Sequence, residues 1–163
     1  MTRLEFANQV RERWHSYVET IYNRLKQVRP DLTTHYGPSG SNGLLTETAY
    51  NLESFISAFE VASPELFEHY LQWLKQVLTA FGNSEDDLAD HMAIMRQVLI
   101  DSSPQSAREA IDNYFGSALD AMQSASLTSS SFINGETAHE VLARDYLANL
   151  LNFHQDRAVA AIL

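Results

Sequence analysis

PELFEHYLQWLKQVLTAF, residues 64–81, returns an apolar side chain at every third or fourth position: Leu66, Phe67, Tyr70, Leu71, Leu74, Val77, Leu78 and Phe81. A period of 3.6 residues brings such positions onto one broad face, whereas a strand with its period of two would scatter them. The spacing predicts a helix, and a face this wide predicts that it forms the centre of a core. Ser63-Pro64 opens it, with serine as a cap and proline in the first turn, where its missing N–H breaks no bond. Gly82-Asn83 closes it.

The same rhythm extends in both directions. Upstream, Ala49, Leu52, Phe55, Ile56 and Phe59 predict a helix from about Thr46, and Phe6, Val10, Trp14, Tyr17, Ile21, Leu25 and Val28 predict one long first helix that ends near Pro30. Between them HYGPSGSNG, residues 35–43, holds too much Gly, Pro and Ser for regular structure and reads as a flexible loop. Downstream, Ser84 and Asp87 form a capping-box pattern ahead of Leu88, Met92, Met95 and Leu99. Ser103-Pro104 repeats the cap-plus-proline device ahead of Ala107, Ile111, Tyr114, Ala118 and Met122. No run has strand period. The expected fold is therefore all-α, a compact bundle of six or seven helices, with a globin-like arrangement as one way to pack them.

The polar break SASLTSSSFING ends the bundle and suggests three parts: a helical domain over 1–125, a hinge over 126–135, and the start of a following helical segment over 136–163. In that last part Leu142, Tyr146, Leu150 and Phe153 fall on one helical face, and a second apolar set begins at Val159, Ile162 and Leu163. Ala-Ala-Ile-Leu is an unusual place for a helical pattern to stop, so the chain reads as part of something longer.

Composition narrows the chemistry. With 163 residues, 45% of them apolar, the chain suits one self-supporting core. It has no cysteine, which excludes disulfides, thiolate metal sites and cysteine nucleophiles and fits a reducing compartment; a cytoplasmic location is the expectation. No apolar run approaches the ~20 residues needed to span a bilayer, and no membrane partner is expected. The formal charge of −10 repels polyphosphate, yet residues 1–29 carry Arg3, Arg11, Arg13, Arg24, Lys26 and Arg29 against Glu5, Glu12 and Glu19, which leaves that segment +3 and the remainder −13. We read a cationic helix docked on an acidic body. Without an aromatic strand face or a recognition-helix turn beside those charges, no direct nucleic-acid contact is expected. The roughly heptad seam of the first helix would serve core burial or a two-fold homodimer.

LARDYLANLL followed by DRAVAAIL resembles the opening of the helical cap in bacterial cobalamin-binding modules, on Leu142, Ala143, Arg144, Tyr146, Leu147, Leu150, Leu151, Asp156, Arg157 and Ala158. Upstream, Tyr70, Trp73, Leu74, Leu78, Leu88 and Leu99 resemble the Tyr-x-x-Trp helix pair that precedes such modules in cobalamin-dependent regulatory proteins. Asn152-Phe153-His154-Gln155 departs from the Gly-containing turn of that pattern, and the Asp-x-His-x-x-Gly loop that ligates cobalt in many such modules is not in the sequence. The resemblance implies a sensory or interaction domain plus the first piece of the cap. Cobalamin then belongs to the full-length protein, and no cofactor to these residues.

Motifs for chemistry are sparse. Glu136-x-x-His139 is half of a di-iron signature that needs two halves, and Asp87 with His91 supplies only two ligands, so both read as solvated helical pairs. The Gly37–Gly43 loop lacks the Gly-Lys-Ser/Thr ending of a phosphate loop, and no serine sits in a Gly-x-Ser-x-Gly elbow. We expect no enzyme. His69 and Trp73, one turn apart on the central helix, are the candidate ligand-binding pair: imidazole beside an aromatic wall could hold haem iron, a bilin or a small ligand, while Glu65 four residues away offers the imidazole an ordinary partner. Two functions follow, a non-catalytic sensory or interaction domain of a cobalamin-dependent regulator and a globin-like pigment sensor.

Overall fold

The first apolar stripe follows two partners, and the helix that carries it bends to do so. In the computed structural model, which describes residues 2–80 and 83–125, the expected single helix is two, α1 (Arg3–Glu12) and α2 (Trp14–Val28). Arg13 stands between them at φ −108°, ψ 27°. The backbone ladder still crosses the bend, through Arg13 N–H to Gln9 O and Tyr17 N–H to Arg13 O, both 3.1 Å. Phe6 and Val10 of α1 pack toward α3, while Tyr17, Ile21 and Leu25 of α2 lie against α3 and α5. A straight rod could not keep one stripe on both surfaces. Thr2 and Glu5 start α1 with a reciprocal capping box.

A 3₁₀ segment (Pro30–Ser39) leads into α3 (Gly40–Glu60), followed by α4 (Pro64–Ala80), α5 (Glu85–Ser102) and α6 (Gln105–Ser124). The described residues thus form an all-α bundle of six α-helices with no strand. The expected loop over 35–43 is a correction: its backbone completes the 3₁₀ segment, and Gly40–Gly43 form the first turn of α3. Glycine serves close approach here rather than flexibility. A Cβ on Gly40 would lie 1.7 Å from the carbonyl oxygen of Thr33, so only glycine lets the two backbones meet.

The expected caps are realised in part, since the Ser63 hydroxyl ahead of α4 donates to Glu65 Oε2 at 2.9 Å. Ser84 and Asp87 cap α5 reciprocally, and Pro64 opens α4. At α6, however, Pro104 is itself the capping residue, and the Ser103 hydroxyl turns back to donate to Ile100 O at 3.0 Å. Phe81, Gly82, the hinge and the segment over 136–163, with Glu136 and His139, lie outside the described residues.

Phe55 of α3 occupies the centre. Its ring meets those of Phe59, Phe67, Tyr114 and Phe115 at centroid separations of 4.8–6.1 Å. Most of these contacts are edge-on or tilted, the arrangements favoured by ring quadrupoles. Around them Leu52, Ile56, Leu71, Met92, Met95, Leu99, Ile111 and Met122 are buried. Two residues of the expected stripes fall outside: Val28 (63% exposed) at the end of α2 and Leu66 (53%) on α4.

The cationic first segment is paired with the acidic body. Arg11 is held by Glu60 at 2.6 and 2.8 Å and by Glu53 at 3.1 Å, tying α1 to α3. Arg24 reaches Asp101 at 3.0 Å, and Arg29 gathers Asp31, Asp87 and Asp90, which ties the end of α2 to α5. Exposed pairs of this kind are worth roughly 0–1 kcal/mol each. Their effect is to choose orientation. Most of the apolar stripe of α1–α2 is buried in its own core, with Leu4 and Val28 left exposed at its ends.

Candidate functional site

Two places stand apart from the packed core: the outer face of α4, and a polar seam buried between α3, α4 and α5.

α4 is amphipathic with an apolar remainder. Phe67, Leu71, Leu74 and Leu78 are buried, yet Leu66 and Trp73, on the flank of that stripe, are 53% and 51% exposed. Tyr70 lies between them, half-buried, with its ring 6.0 Å from that of Trp73. Its hydroxyl donates to Asn51 Oδ1 of α3 at 2.7 Å. Burial pushes the Tyr70 phenol up well beyond its ordinary range, with a hydrogen bond from Ser54 opposing and the charge of Glu47 reinforcing the shift. Tyr70 is therefore a fixed, neutral platform under Trp73. The structure places His69 on the same exposed face of α4, beside Trp73 in sequence order but facing solvent. The pair expected from sequence is thus on the surface, and neither residue lines the small cavity beside the polar seam.

That cavity, about 10 Å³, is bordered by Leu32, Leu44, Glu47, Leu78, Asn83, Asp87, Leu88 and His91. It has room for roughly one water molecule. His91 is buried at 1% exposure, so the expected solvated Asp87/His91 pair is corrected: His91 faces inward and the two side chains bind different partners. The Asp87 carboxylate accepts from Arg29 at 2.5 Å and from the Ser84 N–H at 3.4 Å. Burial raises the Asp87 carboxyl, but the bonds from Arg29 and Ser84 outweigh it and hold the group below its ordinary value. His91 instead sits between Glu47 Oε1, 3.5 Å from Nδ1, and Thr48 Oγ1, 3.2 Å from Nε2. Because the Thr48 hydroxyl donates its proton to Leu44 O at 2.8 Å, it accepts from His91, so Nε2 of the ring is a donor. Asn51 continues the seam; its Nδ2 is buried without a partner among the described residues.

Glu47, Thr48 and Asn51 were legible as positions in phase with Leu44, Leu52 and Phe55, and His91 as one in phase with Leu88 and Met95. Lys75, in phase with Leu71 and Leu78, is another polar residue on a core stripe. Only 5% exposed, its Nζ donates to Met122 O at 2.8 Å and Ala125 O at 3.3 Å and pairs with Glu85 at 2.9 Å. A cation there closes the open carbonyl end of α6.

Among the described residues no group of three or more His, Asp or Glu side chains is arranged to hold a metal ion, and no helix is long and apolar enough to cross a membrane. The seam has the hydrogen bonds of a structural network, with a cavity far below the size of a substrate site. The α4 face has the exposed aromatic and aliphatic groups of a contact surface. No family model matches the chain, and no curated protein is similar to it.

Proposed function

We propose that this chain is a non-catalytic sensory or protein-interaction domain of a cobalamin-dependent regulator, acting in the cytoplasm through the outer face of α4 on a regulatory protein or a second copy. One observation carries the reading. Leu66 and Trp73 stand half out of the bundle around Tyr70, on a helix whose inner face is fully packed, and aromatic side chains held on a rigid platform are what interface cores are made of. The resemblance of Tyr70, Trp73, Leu74 and Leu78 to the helices that precede cobalamin modules supplies the context.

Two tests bear on it. In the full-length protein, Leu66→Gln with Trp73→Gln removes the cobalamin-dependent output while the thermal midpoint of the domain stays in place; output retained by the double variant contradicts the reading. Asp-x-His-x-x-Gly is expected in any continuation of the gene past Leu163, and a continuation without it removes cobalamin from the proposal. The alternative reading, a haem or bilin sensor, is favoured by one feature. His69 and Trp73 share a solvent-facing surface, which leaves the imidazole accessible beside an aromatic wall. Visible absorption on adding haem or bilin decides between the two.

A further inference from the structure

We infer that the groove between α2 and α5 binds a small polyhydroxy anion, a sugar phosphate or a sugar acid. The groove, about 230 Å³, is lined by Arg13 at the bend, by Tyr17, Thr20 and Arg24 of α2, and by Asp101 and Ser102 of α5. It shares no residue with the α4 face, and the inference goes beyond the reading of that face.

Charge sets the first requirement. Arg13, Tyr17, Thr20 and Arg24 recur at intervals of three and four, which lines them along one side of the groove. Two guanidiniums against one carboxylate leave the groove positive in a chain of net charge −10, so a small anion is attracted to it. Arg24 joins the two walls, donating from Nη1 to Asp101 at 3.0 Å, and its guanidinium carries further N–H groups. Arg13 differs from Arg11, Arg24 and Arg29, which all hold carboxylates. It is exposed and has no carboxylate partner among the described residues.

The hydroxyl groups decide which kind of anion fits. Thr20 Oγ1 donates to Ser16 O and Ser102 Oγ to Val98 O, both at 2.7 Å. With their protons engaged, both hydroxyls have only acceptor lone pairs left for a ligand. Asp101 adds acceptor oxygens, and the C-terminal end of α5, which closes at Ser102, adds partial negative charge. A bare inorganic anion is repelled by that wall. Beside Arg13 the balance reverses, because Tyr17 Oη accepts from Gln9 Nε2 at 3.0 Å and keeps its own proton to donate. The arrangement therefore suits an anionic head at Arg13 and ligand hydroxyls that donate to Thr20, Ser102 and Asp101. The volume is smaller than the roughly 300–1,000 Å³ of pockets for drug-sized ligands, which limits the body of the ligand to about one sugar.

The test is an amide NMR titration of the full 163-residue protein with glucose 6-phosphate and with gluconate, and with inorganic phosphate and glucose as the separate halves of the first probe. At least one of the two polyhydroxy anions should give saturable shifts centred on residues 13–24 and 98–102, and bind about tenfold or more tighter than either half. The tighter of the two names the anionic head, phosphate or carboxylate. Arg13→Gln, a change at an exposed position, should weaken that binding about tenfold, the loss expected of one charge-assisted hydrogen bond. Thr20→Val keeps the shape but removes an acceptor, and should reduce the advantage over inorganic phosphate severalfold. Far-UV circular dichroism and the thermal midpoint of each variant separate a lost contact from a lost fold. No saturable binding of either polyhydroxy anion overturns the inference. So do shifts centred elsewhere, inorganic phosphate or glucose alone binding as tightly, or an affinity indifferent to Arg13→Gln. Any of these failures leaves the reading of the α4 face untouched.

Discussion

Ala62 takes the left-handed conformation, φ 58°, at the end of α3. Its N–H bonds Phe59 O at 3.3 Å and the N–H of Ser63 bonds Ala58 O at 3.1 Å, the paired closure that usually recruits glycine. A side chain in this region costs roughly 1–2 kcal/mol, and glycine gives back about 0.4–1 kcal/mol through its freer unfolded state. Ala62→Gly should therefore stabilise the protein by about 0.5 kcal/mol in urea unfolding, and a loss of stability would show that the turn is held otherwise. Thr48 makes the opposite kind of contribution. Thr48→Val keeps the shape but leaves the His91 Nε2–H buried without an acceptor, for an expected loss of about 1–3 kcal/mol. Thr48→Ser, which keeps the oxygen, should lose less.

Between helices, the polar contacts act as latches on surfaces that apolar packing has already joined. Lys75 is the most enclosed of them, and Lys75→Met should cost about 1.5–3 kcal/mol, with amide exchange at the end of α6 quickening more than in α3. Uniform quickening would mean that Lys75 supports the whole core rather than the end of α6. Acid should open the contacts of the cationic segment. Hydrogen bonds from Arg11 hold the Glu60 carboxyl below its ordinary value, and Asp87 is lowered on balance by Arg29 and Ser84. A carboxyl lowered in the folded state contributes stability that is complete above its unfolded value, near 4, and that is lost as pH falls through the folded one. The urea midpoint should thus decline from about pH 4 downward, and Arg11→Leu should flatten that decline; an unchanged slope would exclude the Arg11–Glu60 pair as its source. At this scale sequence was most informative where apolar spacing and caps agreed, as in α5, whose Ser84 box and Leu88, Met92, Met95, Leu99 stripe are all realised. It misled where one residue type serves two ends. Gly40 reads as a breaker but permits a close approach, and the unbroken stripe from Phe6 to Leu25 gives no sign of the bend at Arg13, because only the placement of α3 and α5 requires it.

At the scale of the molecule, a ring cluster centred on Phe55 fills the interior of the described bundle, and apolar surface is left over on α4 at Leu66 and Trp73, as it is elsewhere at Leu4, Val28, Tyr50 and Val61. The spacing within residues 64–81 revealed that helix. It could not reveal that Leu66 and Trp73 would be left over, since exposure depends on which neighbours a face meets. His69 and Trp73 are close in sequence and share the α4 surface, whereas the buried partners of His91, Glu47 and Thr48, come from a helix far away in sequence and could not be paired by inspection. The interaction reading and the pigment reading therefore divide on whether anything binds at His69. Titration of the full chain with haem and with a bilin, followed by visible absorption, tests this most directly. Spectra equal to the sum of the separate components are expected of an interaction domain; a saturable new band that disappears in His69→Ala would contradict it.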